Sequence, residues 1–153
     1  MDDEMFDLPS LKQKQQLEEF KKCNEFSAKF GVTLSNSEII TLNENRKESL
    51  KSMGRVELGN GILPKLIYEF CDSPFIYQDI YADTLQALQE MFYYFKNESL
   101  DEISDDELIH IMKEYFDQEC QGSIEYLQET TLEDVCRNVR YGYGSKRNYD
   151  EED

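Results

Sequence analysis

The sequence contains one histidine, no tryptophan and no pair of cysteines at CxxC spacing. With a single imidazole, one chain cannot supply the two Glu-x-x-His motifs that a ferritin-like di-metal site requires. Each of the four cysteines sits in or beside a helical pattern: Cys23, Cys71, Cys120 and Cys136. We therefore expect reduced, partly buried thiols in a cytosolic protein.

Long apolar runs are also absent. No run approaches the roughly 18 residues that are needed to cross a membrane. The acidic start, MDDEMFDLPS, lacks the basic and apolar regions of a signal peptide. We therefore expect neither a membrane span nor a secretion signal.

Basic residues are scarce, with 16 Lys and Arg against 33 Asp and Glu and a formal net charge of −17. Such a chain should repel nucleic acid and acidic lipid, because binding to either needs cations that neutralise phosphate. The charge is uneven: residues 11–54 carry a net +2, whereas residues 99–118 carry −6. Basic protein partners remain compatible with this balance, and solubility alone is the simpler explanation.

The most apolar helical stretch is Tyr81 to Lys96. Its large side chains recur at steps of four, three, four and three residues, at Tyr81, Leu85, Leu88, Phe92 and Phe95. This spacing places them on one face of a helix. We predict that this helix is the centre of a bundle. Because Asp83 and Glu90 fall off the apolar face, the helix offers no acidic ligand to the core.

Apolar periodicity predicts further helices over residues 11–30, 35–53, 63–71, 104–116 and 124–139. Two of them start at capping boxes, Ser35 to Glu38 and Ser104 to Glu107. The predicted fold is all-α, a single-domain bundle of five or six helices over residues 11–140. A flexible lead-in over residues 1–10 and a disordered acidic tail over residues 141–153 complete the chain.

One segment departs from helical periodicity. Arg55 to Leu58 alternates between polar and apolar residues and is followed by the turn sequence Gly59-Asn60-Gly61. This pattern is typical of one arm of a short β-hairpin, although no second arm follows in the sequence.

Two patterns suggest a metal. Glu107 and His110 form a Glu-x-x-His on a predicted helix, the spacing that di-metal bundles use. Residues 117–128 fit part of the calcium-loop template, with Asp117 at the first position, Gly122 at the sixth and Glu125 at the ninth. Glu119 stands at the third position, but Gln128 replaces the bidentate Glu at the twelfth. The simpler interpretations are a capping residue and a helix–Gly–helix corner.

Tyrosine is abundant, and several tyrosines fall partly off the predicted core faces. Because tyrosine is favoured at interfaces, these residues suggest a surface for a protein partner or a second copy of the chain. The candidates are Tyr68, Tyr77, Tyr93, Tyr94 and Tyr126.

Four phrases carry a resemblance to a known family: GRVE at 54–57, FCDSP at 70–74, FYYFKNESL at 92–100 and SDDEL at 104–108. Over roughly residues 30–143 the chain resembles an uncharacterised family of small bacterial proteins, a domain of unknown function. The resemblance implies a cytosolic bacterial protein. It implies no activity, ligand or catalytic residue.

Three functions stay open. The leading hypothesis is a non-enzymatic interaction or regulatory module that binds a protein through an acidic, tyrosine-rich surface, with no cofactor. The second is an acidic DNA mimic or an inhibitor of a basic protein. The third is a metal protein or enzyme that uses Glu107 and His110 or the 117–128 loop.

Overall fold

A computed structural model describes residues 11–129 and Cys136. Within that part of the chain there are six α-helices and no strand: α1 Leu11–Ser27, α2 Asn36–Met53, α3 Leu63–Phe70, α4 Tyr81–Glu98, α5 Asp105–Asp117 and α6 Ile124–Gln128. The all-α prediction and the predicted helix number are confirmed. The predicted lead-in, the acidic tail and most of the last predicted helix lie outside the described residues. None of the described helices is long and apolar enough to cross a membrane.

Helix α4 is the centre of the bundle, as its periodicity predicts. Its five large face residues are each 1% exposed or less, and it contacts α2, α3, α5 and α6. Asp83 and Glu90 are exposed, also as predicted. The helix nevertheless buries two long polar side chains, Gln89 and Lys96.

Helix α2 begins at the predicted capping box. The Ser35 Oγ accepts a hydrogen bond from the Glu38 N–H at 3.1 Å, and Glu38 Oε1 accepts one from the Ser35 N–H at 2.9 Å. The helix ends at Gly54, whose φ of +68° suits glycine. The N–H of Arg55 returns to the carbonyl of Leu50 at 2.8 Å, which completes a Schellman motif.

The middle of α2 is polar in sequence, from Asn43 to Lys47, but it is not fully exposed. Arg46 is only 3% exposed, because the loop after the helix folds back over it.

Helix α5 begins with only half of the predicted capping box. The Ser104 Oγ accepts a hydrogen bond from the Glu107 N–H at 3.2 Å, and within the described residues the reciprocal bond from the Glu107 side chain does not form.

Candidate functional site

The predicted Glu-x-x-His pair does not come together as a site. The His110 ring is 62% exposed, with Nδ1 3.4 Å from Oε2 of Glu69 and Nε2 3.4 Å from Oε2 of Glu114. Its acidic neighbours are therefore on α3 and one turn later on α5, rather than Glu107. Among the residues that the structure describes, no group of three or more candidate ligands gathers around one point.

The predicted calcium loop is a corner between α5 and α6. Asp117 accepts a hydrogen bond from Ser73 Oγ at 2.6 Å and lies 3.1 Å from Lys113 Nζ, while Glu119 and Glu125 are exposed. Gly122 has a φ of +86°, and a Cβ there would lie 2.5 Å from the Cβ of Phe75. The loop therefore takes the simpler arrangement, in which Asp117 fixes the turn before α4 against α5.

The five tyrosines of the predicted interaction surface lie in different environments. Tyr68 on α3, Tyr77 in the segment before α4 and Tyr126 on α6 are exposed, and Tyr94 is half-buried. Tyr93 is fully buried, so its assignment to the surface is wrong. The physical reason is that α4 is covered on more than one side, and Tyr93 donates its hydroxyl proton inward to the Glu57 carboxylate.

The Glu57 carboxylate forms the anchor of the loop between α2 and α3. Its Oε1 lies 2.8 Å from Arg46 Nη1 and also accepts the Tyr93 hydroxyl. Arg46 Nη2 donates to the carbonyl of Gly59 at 2.6 Å. Burial, followed by the nearby carboxylate, raises the pKa of Tyr93 above its ordinary value. The loop is thus attached to both α2 and α4 through charge-assisted hydrogen bonds.

Because the Glu57 side chain is anchored inward, the loop turns its polar side chains toward the protein and its apolar side chains toward solvent. Arg55 to Leu58 alternates in burial, as an extended chain does, but the polar members face the protein. Val56 is 88% exposed and Leu58 is 89% exposed, while Glu57 between them is partly buried. This alternation was the basis of the predicted hairpin arm. The arm is absent from the described residues, since no strand pairs with the segment.

A second loop lies beside the first and is joined to it. Arg55 Nη2 lies 2.6 Å from Asp101 Oδ1, and Arg55 Nη1 donates to Asn97 Oδ1 at 2.6 Å. A hydrogen bond from Arg55 lowers the pKa of Asp101. Leu100 and Asp101 have φ values of +54° and +61°, which are unusual for residues other than glycine, and Leu100 is 60% exposed. We call the exposed surface of Arg55–Leu58 and Ser99–Glu102 the loop face.

The surroundings of the loop face are acidic. Residues 97–107 contain six carboxylates and no base. Three cations from elsewhere in the fold reach three of these carboxylates: Arg55 and Lys96 contact Asp101, Lys96 also contacts Asp105, and Lys65 contacts Asp106. Glu102 and Glu107 have no ion pair among the described residues, and Glu102 follows Asp101 in the loop that is joined to Arg55.

Sequence reasoning missed this arrangement. It recognised the alternation at Arg55 to Leu58 but could not tell which side would face the bundle. The strongest signal was Arg46, a base in the middle of α2 at an inward helical position relative to Ile39, Leu42 and Leu50. Such a position predicts a carboxylate partner, and Glu57 supplies it.

The fold and the loop face define a class: a small all-α bundle with an acidic, partly apolar surface formed by two loops. The chain matches the family of unknown function DUF6323 over residues 19–145 and belongs to it. Comparisons with curated proteins and with solved structures find no match.

Proposed function

We propose that this protein is a non-enzymatic, cytosolic interaction module that binds a basic protein through the loop face. The observation that carries the proposal is the inverted alternation, which exposes nearly all of Val56 and Leu58 while Glu57 turns inward. Neighbouring exposed apolar side chains are a feature of binding surfaces. The cytosolic location is supported by Cys23, Cys71 and Cys120, which form no disulfide among the described residues.

The charge around the loop face selects the kind of partner. Uncompensated carboxylates favour a basic partner and speed its encounter. A symmetric homodimer through this face would place the same acidic patch against itself, because an isologous interface pairs each surface with its own copy. Exposed Asp101 and Glu102 would then meet like charges, so we propose a different protein rather than a second copy.

Site-specific cross-linking in the native host tests the proposal. Photoreactive benzoylphenylalanine replaces Leu58 in one variant and Ile40 in a matched control. Ile40 is an exposed apolar residue on α2, away from the loop face. We expect a discrete adduct with one heterologous protein from position 58 and none from position 40. No adduct, equal adducts at both positions, or an adduct of twice the chain mass would each contradict the proposal.

The acidic-mimic hypothesis remains a second candidate, favoured by the six carboxylates of residues 97–107. A mimic binds through charge, so Glu102→Gln with Glu107→Gln would abolish the adduct while Val56→Ser would not. The interaction-module proposal expects Val56→Ser to weaken the adduct more than the two charge changes, which reduce the adduct without abolishing it. The metal hypothesis also stays a prediction, and metal analysis of the purified protein tests it.

A further inference from the structure

The loop face has a free backbone as well as exposed side chains. Among the described residues, no hydrogen bond engages the backbone N–H of Val56, Glu57 or Leu58. The backbone carbonyl oxygens of Arg55, Val56 and Glu57 likewise accept no hydrogen bond from a described residue. A short segment outside helix and strand, with alternating burial and unpaired donors and acceptors, resembles the open edge of a sheet, which accepts another strand.

The side chains on this segment suit an extended occupant. Val56 and Leu58 are two residues apart and both face solvent. A strand that adds to this segment also places every second side chain on one face, so its repeat matches the spacing of Val56 and Leu58. Apolar side chains at every second position of the occupant could then contact Val56 and Leu58 as cross-strand neighbours.

The segment is held in place at both ends. Arg55 is tied to Asn97 and Asp101, and Gly59 is tied to Arg46 through its carbonyl. Glu57 is anchored between them. A segment that is already ordered costs less conformational entropy when a partner binds.

Charge complementarity identifies the chemistry of the occupant. Glu102 and Glu107 have no ion-pair partner among the described residues, and Asp101 stays half-exposed after it pairs with Arg55. Lys or Arg side chains of an incoming chain would find Asp101 beside the segment, with Glu102 next to it in the chain. An acidic or neutral peptide would gain nothing from them.

We infer that Arg55–Leu58 receives an extended segment of the partner, with Lys and Arg between alternate apolar residues, which adds to it as a β-strand. This inference rests on the proposed function and specifies its mode of binding. It also explains how a loop that forms no strand by itself keeps a strand-like alternation.

The first experiment pans the full chain against phage-displayed random peptides of about twelve residues, a length that covers the segment on both sides. We expect enriched peptides with net positive charge and apolar residues at alternate positions. Their binding should fall about tenfold or more, which is about 1.4 kcal/mol, with Val56→Ser plus Leu58→Ser. The control variant Ile40→Ser should bind as the parent does. Both variants change exposed side chains, and circular dichroism verifies that the fold is retained.

The second experiment distinguishes a strand from other modes. Each backbone nitrogen of one enriched peptide is methylated in turn, which removes one hydrogen-bond donor at a time. Strand addition predicts that methylation weakens binding about tenfold at every second residue and has little effect between them. Amide hydrogen exchange of residues 56–58 should also slow when the peptide is bound.

The possible results of these experiments distinguish the inferred mode of binding from the proposed function. Binding that depends on Val56 and Leu58 without a two-residue methylation pattern overturns strand addition and leaves the interaction function standing. Peptides that are enriched without positive charge overturn the assigned chemistry. Failure to obtain any peptide whose binding depends on Val56 and Leu58 overturns the inference, whereas the proposed function is decided by the cross-linking experiment.

Discussion

Arg46 and Glu57 form an ion pair of 2.8 Å beneath the loop that exposes Val56 and Leu58. The arginine comes from the middle of α2, and the carboxylate comes from a segment without helix or strand. Because the charged groups face the bundle, the apolar neighbours of Glu57 must face solvent. A stabilising contact and an exposed binding surface therefore have the same physical origin.

The first prediction concerns this anchor. Glu57→Gln leaves the Arg46 guanidinium buried without a carboxylate, and we expect it to lower the free energy of unfolding by about 3 kcal/mol. Asp106→Asn is the matched control, since its pair with Lys65 lies at the surface and should cost less than about 1 kcal/mol. Urea unfolding of both variants measures the difference. Equal costs would show that the anchor does not hold the loop.

A second prediction compares two glycines of one turn. Gly59 and Gly61 have φ values of +60° and +62°, but only Gly61 is crowded: a Cβ there would lie 1.9 Å from Glu57 Oε1. Gly59→Ala should cost about 1 to 2 kcal/mol for the left-handed backbone alone. Gly61→Ala should cost about 3 kcal/mol or more, because it also displaces Glu57 from Arg46. Thermal and urea unfolding give both values, and similar costs would contradict the crowding argument.

The third prediction separates stability from binding at Leu100. Leu100→Gly relieves a positive φ and removes an exposed side chain, so the free energy of unfolding should stay unchanged or rise by up to about 1 kcal/mol. Asp101→Gly also relieves a positive φ angle, but it breaks the ion pair with Arg55. It should therefore lower the free energy of unfolding. Peptide binding to the loop face should weaken in both variants. A large loss of stability in Leu100→Gly would show that this side chain has a structural role.

The fourth prediction concerns alkaline pH. Burial raises the pKa of Cys23 from 9.0 to about 11, and burial followed by the Glu119 charge raises that of Cys120 to about 11. Above pH about 9 the unfolded thiols lose protons that the folded protein retains. Unfolding therefore releases protons, and stability falls as pH rises toward about 11, by at most about 1.4 kcal/mol per pH unit for each thiol.

Urea unfolding under reducing conditions at several pH values measures this slope. Cys23→Ala should make the slope shallower between pH about 9 and about 11, even if the substitution lowers stability at neutral pH. A slope that is unchanged by the substitution would contradict the assigned pKa shift.

Much of the fold follows from local pattern. The apolar spacing of Tyr81 to Phe95 and the capping box at Ser35 depend on residues within a few turns, so both could be predicted and both are present. The candidate site depends on distant residues. Tyr93 stands 36 positions from Glu57 in the chain, and no local pattern indicates that its hydroxyl finds a carboxylate rather than water.

The sequence by itself determined that this protein is a helical bundle with an acidic surface, because helix period, capping residues and charge are local or additive properties. It also determined that Arg55 to Leu58 alternates. Only the tertiary structure decided which side of that alternation meets water. An alternation with a period of two looks the same in the sequence whichever set of side chains faces inward. Here the polar set faces inward because the buried charge of Arg46 on α2 requires Glu57 as its partner.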